Sequence, residues 1–335
     1  MIAKLFRLMS CGLFLIILTV LIGCATTSKV KVERWKPAEL NISNYKKVAI
    51  GEIKGVNGDG IADLLAHALV ATNRFEVLDR SNINQIIKEQ RISASAQFEP
   101  ATAVALGKMI GSAILFVGNV NRREYKQNQG MEQSTCIDDK YRPINCTKIT
   151  ITGIWSNQIT IKGIDTSTGR IIATKTVQWG TKTSVSSDKG MPNINWDPEA
   201  VLVEMDKIVV NKFMQMIAPY TVSEEVELFT DEKLPELGRG VTYARYGEWE
   251  KAIDNIKEGS RKADDNPGFS AQLRARAHYD LGIALGYSGR YEEGIREIEK
   301  AINIEAEEVY FKEIQKIKSF HNDSERLRKQ GQDAS

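Results

Sequence analysis

Apolar residues open the chain as one block. Leu13 to Ile22 is nearly uninterrupted, with Lys4 and Arg7 ahead of it and Leu21-Ile22-Gly23-Cys24 closing it. A basic start, an apolar stretch and small residues at a cut read as a secretory signal. The stretch is shorter than the roughly 20 residues that a spanning helix needs. From Thr26 to Asn44 the residues are polar without a clear period, which predicts a tether over residues 24–45. Lys47 to Ile53 (KVAIGEI) is a β-type run, and Ile61, Leu64, Leu65, Ala68 and Leu69 then fall at helical spacing up to Thr72. Phe75 to Leu78 predicts a second strand. Ser81 caps a helix through Gln90 with Ile83, Ile86 and Ile87 on one face. Pro100 opens a third helix to Ile110. Ala113 to Asn119 (AILFVGN) is nearly all apolar, the pattern of a strand in the middle of a sheet covered on both faces.

Asn121 to Thr147 is polar and reads as a connecting segment. Gln158 to Ile164 and Arg170 to Trp179 are strands flanking Asp165-Thr166-Ser167-Thr168-Gly169, a turn with Asp at its start and Gly near its end. Pro198 opens a helix whose Val201, Met205, Ile208, Val209, Phe213 and Met216 form a stripe that stops before Pro219. Strands alternating with helices and followed by a hairpin predict an α/β (α+β) domain over 46–230.

Beyond Leu234 the pattern repeats. Gly240, Tyr243, Gly247, Trp249, Ala252 and Ile256 have the same spacing as Gly282, Leu285, Gly289, Tyr291, Gly294 and Ile298. This spacing resembles the tetratricopeptide repeat, in which small residues let two antiparallel helices approach. The two copies lie 42 residues apart, against about 34 in that repeat, so the link near Asp264 to Ala271 is longer. An all-α domain over 234–320 follows, with two repeats and a capping helix from Ala306 to Phe320. Residues 321–335 are charged and poor in large apolar side chains, which predicts a disordered tail.

Composition narrows the function. The formal charge is +2. It falls to zero once Lys4 and Arg7 leave with the signal over 1–23, so charge gives no argument for nucleic acid as a partner. Cys24, just after the cut, resembles the acylated cysteine of a bacterial lipobox. Ala25 and Thr26 follow it, with no Asp in the position of an inner-membrane retention signal, so the resemblance implies a lipid anchor in the periplasmic leaflet of the outer membrane. Cys136 and Cys146 remain as an even pair in an oxidising compartment and are expected to form a disulfide. Closing so short a loop is worth about 2.5–3 kcal/mol in the chain-entropy model.

Catalytic, cofactor-binding and metal-binding residues are not predicted. Gly58-Asp59-Gly60 lacks the full G-x-G-x-x-G spacing, and His67 and His278 lack an HExxH companion. A G-x-S-x-G elbow is absent, and Cys136 sits in a polar segment without a nearby histidine. The expectation is a protein that is not an enzyme.

Two stretches carry a wider resemblance. FEVLDRSNINQIIKEQRI (Phe75 to Ile92) and QITIKGIDTSTGRIIA (Gln158 to Ala173) resemble the CsgG family of curli production assembly lipoproteins, over about Lys46 to Ala218. That periplasmic fold is similar to the N-terminal domain of TolB and to lipoproteins that activate peptidoglycan synthases. The resemblance implies ring-shaped secretion pores in which each subunit donates two hairpins to a shared barrel. Here the loop after the first strand is KGVNGDG, without an aromatic side chain. Asn121 to Ile149 places Arg123 on one face and Arg122, Glu124 and Lys126 on the other. Thr174 to Trp196 has a modestly apolar face of Val177, Trp179, Thr181, Thr183 and Val185 but a poor returning strand from Asp188 to Asn195. The reading that follows is a lipid-anchored adaptor that docks a protein partner on its repeats, with Tyr243, Trp249, Tyr287 and Tyr291 as anchors and a homo-oligomer left open. The alternatives are an outer-membrane secretion channel subunit and an activator of a cell-wall synthase.

Overall fold

A computed structural model describes residues 26–78 and 100–332. The expected signal segment, Cys24 and the helix from Ser81 to Gln90 lie outside the described residues. In chain order the elements are β1 (Thr26–Lys36), β2 (Lys47–Lys54), α1 (Gly58–Ala71), β3 (Glu76–Leu78), α2 (Pro100–Ile110), β4 (Ile114–Ile137), β5 (Pro143–Asp165), β6 (Ile171–Ser187), α3 (Pro198–Ile217) and β7 (Tyr220–Thr230). Then come α4 (Pro235–Arg245), α5 (Trp249–Asp265), α6 (Ala271–Tyr287), α7 (Tyr291–Ile304) and α8 (Glu308–Lys329). They divide into two compact units, one of residues 37–220 with 329–332, the other of residues 26–36 with 221–328.

The α/β unit is built on a sheet of order β3-β2-β4-β5-β6. β2 runs parallel to β3 and β4, whereas β4, β5 and β6 are antiparallel. Alternate residues of β2 and β4 serve the two faces. Val48, Ile50, Ile114 and Phe116 pack with Ile61, Leu65 and Leu69 of α1 and Val209 and Phe213 of α3. Ala49, Leu115 and Val117 meet Ala103 and Leu106 of α2. Helices on both faces explain why the start of β4 is apolar at every position.

β4 and β5 extend well past that core. Their pairing is continuous in reach from Ile114↔Asp165 to Ile137↔Pro143, with one irregularity near Val120, and β6 follows β5 as far as Ile149↔Ser187. The polar segment expected from Asn121 to Thr147 is therefore mostly strand. Both faces of this part of β4 are polar, so its sequence carries no period of two, and the main-chain ladder alone reveals it. At the tip, an Asp138 Oδ1 accepts the N–H groups of Lys140 and Arg142 at 2.8 and 2.9 Å. Those bonds, the one from the Arg142 backbone first, hold the Asp138 carboxyl below its ordinary range. Cys136 and Cys146 are joined as a disulfide beside this turn, with Cα atoms 5.8 Å apart.

The second unit pairs β1 with β7 and packs α4 to α8 into one core with them. Residues 26–36 are thus a strand rather than part of a tether. Val30 and Val32 are buried between outward Lys29, Lys31 and Glu33, an alternation that the density of charge conceals. Residues 37–45 also fold, with Ala38 and Ile42 buried in the α/β unit. The expected disordered tail is corrected likewise: α8 continues to Lys329. Phe320, Ser324 and Leu327 prolong the buried stripe of Tyr310, Ile314 and Ile317 at helical spacing. Arg34 of β1 also reaches this helix, 3.3 Å from Asp323 and stacked 4.0 Å from the Phe320 ring. Among the described residues no helix is long and apolar enough to cross a membrane.

Candidate partner-binding surfaces

Gly240 of α4 lies against Ile256 of α5, and Gly282 of α6 lies against Ile298 and Gly294 of α7. The two glycines do the same work: each lets a pair of successive helices touch where a side chain would collide. Gly247 and Gly289 end the first helix of each pair with φ of +74° and +91°, which glycine adopts without strain. The equal spacing seen in the sequence is therefore an equal geometry.

The four aromatic residues expected to anchor a partner do not share one surface. Trp249 stacks on Tyr287 with ring centroids 5.9 Å apart, and Tyr287 meets Phe320 edge-on at 5.2 Å. Both pack against the helical core. Tyr291 stacks on His321 at 5.4 Å and is half-buried. Tyr243 alone is exposed, with the Lys251 ammonium 5.8 Å from its ring. Tyr246, at the end of α4, is 81 % exposed and was missed, because nothing in its local spacing separates it from Tyr243.

Tyr291 and His321 also wall a cavity of about 430 Å³ over the first turn of α7, completed by Arg290, Glu293, Arg296 and Arg328. Arg290 is committed to Glu293 through bonds of 2.9 and 2.5 Å. Arg296 and Arg328 face solvent. The cavity is polar and open, suited to a hydrated, charged segment rather than an apolar one. Deeper in the same unit, His278 is held between Glu297 at 2.8 Å and Asp264 at 3.1 Å. Burial works against its charge, but the bonds to Glu297 and Asp264 outweigh burial and raise its pKa. Among the described residues no group of three or more His, Cys, Asp or Glu is placed to hold a metal ion.

In the α/β unit a buried polar node joins four elements. Asp206 of α3 accepts from Asn57 before α1 at 2.9 Å, from Asn157 of β5 at 2.6 Å and from Arg123 of β4 at 3.1 Å. Arg123 extends to Glu199 at 2.6 Å, and that bond is the main reason its pKa is raised. On the opposite face of β4, Arg122 and Lys126 flank Glu124 at 3.5 and 3.2 Å. The same face continues across the ribbon as paired hydroxyls: Thr150 with Ser186 at 2.8 Å, Thr152 with Ser184 at 2.8 Å and Thr160 with Thr176 at 2.9 Å.

Residues 28–137 match the family model of the curli production assembly/transport component CsgG. The matched stretch runs from within β1 to the end of β4, beginning earlier than the resemblance read at Lys46 and stopping short of Ala218. No curated protein matches the chain. Among solved structures, a crystal structure of lipoprotein GNA1162 from Neisseria meningitidis is similar at 13% identity and a TM-score of 0.25, over 50% of this chain and 94% of that one.

Proposed function

We propose that this chain is an envelope lipoprotein, anchored by acyl chains on Cys24 in the periplasmic leaflet of the outer membrane, that docks protein partners on its helical unit during surface assembly or export. The CsgG match over 28–137 supports the envelope setting. The paired helices with equivalent glycines at 240 and 282 support tetratricopeptide-like docking, as does the exposure of Tyr243 and Tyr246 beside them.

The observation that carries an adaptor over a secretion channel is that neither face of the β4–β5–β6 ribbon is a continuous apolar surface open to lipid. One face holds Arg122, Glu124, Lys126, Lys148 and Lys182 with the hydroxyl pairs, and a lipid-facing Arg or Lys costs about 2–4 kcal/mol at mid-bilayer. The other mixes Gln127, Gln129 and Gln133 with Tyr125, Met131, Ile149, Ile151 and Trp155, and Trp155 is buried against Leu202 and Met205 of α3. The test is Cys24→Ser. The wild-type chain is expected to sediment with membranes until detergent is added, and the variant to appear in the soluble fraction without conductance in planar bilayers. A Cys24→Ser protein that stays embedded and conducts would replace this reading with the channel.

A further inference from the structure

Residues 26–36 form strand β1 of the helical unit, which leaves almost no chain between Cys24 and folded structure. Thr26 lies two residues after Cys24, a separation of at most about 7 Å in a fully extended chain. The start of β1 is firmly held. The Thr230 hydroxyl donates to the Thr26 carbonyl at 3.1 Å, and the guanidinium of Arg245, the last residue of α4, donates to the Ser28 hydroxyl at 3.1 Å. Beside Thr230, an Asp231 carboxylate oxygen accepts the Lys233 N–H at 2.9 Å in the turn into α4. Tyr246, the residue after Arg245, is 81 % exposed. The far end of β1 lies well away from this point. Arg34, eight residues after Thr26, meets Asp323 and Phe320 of α8, and eight residues of strand rise about 26 Å. β1 therefore reaches from α4 at its start to α8 near its end.

We propose, resting on the reading that Cys24 carries acyl chains, that the α4 end of the helical unit sits on the phospholipid surface, with Tyr246 in the headgroup layer and α8 held away from it. Acyl chains keep Cys24 at the bilayer surface, and the short connection keeps Thr26 and the groups bonded round it close to that surface. Tyrosine suits the headgroup layer because its ring is apolar and its hydroxyl polar. Charge does not select the lipid here, since exposed Lys233 and Arg245 are offset by exposed Glu232 and Glu248. The length of the connecting chain selects it. Acyl chains fix one point, and stable, oriented attachment takes a second contact. Tyr246 supplies that contact, so the unit does not swing freely about Cys24. Tyr243, with the Lys251 ammonium against its ring, is left for a protein partner.

The test uses the full lipidated chain in vesicles of phosphatidylethanolamine and phosphatidylglycerol. Cys11 leaves with the signal, Cys24 is acylated, and Cys136 and Cys146 are joined. Tyr246→Cys, or Asn322→Cys at an exposed position of α8, therefore supplies the one thiol that takes a fluorescent label. Flotation with the vesicles is scored first. In floated protein, lipid carrying a spin-labelled headgroup is expected to quench the label at position 246 several-fold more than the label at position 322. Equal quenching at both positions, stronger quenching at 322, or none at either overturns the proposal and leaves the anchor standing. A chain that does not float overturns the anchor, and this proposal with it. Should Tyr246→Cys not fold, Lys233→Cys on the turn beside Thr230 reports the same surface with the same outcomes.

Discussion

His278 shows what a single side chain contributes in this protein. It is the third party in a contact between α5, through Asp264, and α7, through Glu297, with Lys300 bonded to the same Glu297 at 2.6 Å. Both ring nitrogens face carboxylates, so the charged imidazolium is the form that satisfies every partner. Its folded pKa is raised. The stability it supplies is complete below the ordinary histidine value of about 6.5 and is lost as pH rises through the raised folded value. Thermal melts of the wild-type chain between pH 6 and 9 should therefore show a fall on the alkaline side. His278→Gln should be less stable at pH 6 by about 1–3 kcal/mol, since it leaves the largely buried Glu297 short of a charged donor, and should lose that slope. Sequence spacing could not find this site, because Asp264, His278 and Glu297 belong to three different helices. The same limit applied to the aromatic residues: spacing located Trp249 and Tyr291 at equivalent turn positions, but only packing showed their rings turned inward.

Elements repeat the lesson at larger reach. Gly282 was legible as a small residue at a helix contact, and the structure gives the reason in distances. A Cβ there would lie 2.5 Å from Ile298 Cγ1 and 2.7 Å from the Gly294 carbonyl. Gly282→Ala must move backbone, and a loss of about 1–3 kcal/mol is expected from such overpacking. Gly238, on α4, has nothing within 4 Å of the added carbon, so Gly238→Ala should gain about 0.4–1 kcal/mol by restricting the unfolded chain. Urea denaturation of the two variants against the parent checks both signs. Helices and core strands were readable because one side of each is apolar at the period of the element. β1 and the outer half of β4 were not. β1 hides Val30 and Val32 among charges, and outer β4 has polar residues on both faces and is held by main-chain bonds to β5, which no side-chain pattern encodes.

For the whole molecule, the informative residue is Asp206, whose side chain is 2% exposed and meets an Arg123 side chain that is 6% exposed. One carboxylate holds the loop before α1, β4, β5 and α3 together. Asp206→Ala would leave Arg123 buried with only Glu199, and a loss of about 3–5 kcal/mol is expected, as for a buried pair broken from one side. Equilibrium urea unfolding measures it; a loss below 1 kcal/mol would mean that the node is dispensable. What the sequence determined by itself was the local order: an apolar start closed by a cysteine, an α/β stretch followed by helical pairs, and the glycines where helices touch. These depend on period, capping and turn chemistry within a few residues. The tertiary structure alone decided that residues 26–36 join β7, that α8 runs to Lys329, and that Arg123 turns inward to Asp206. Each of those is a contact between residues far apart along the chain, and such contacts leave no mark on the local pattern of either partner.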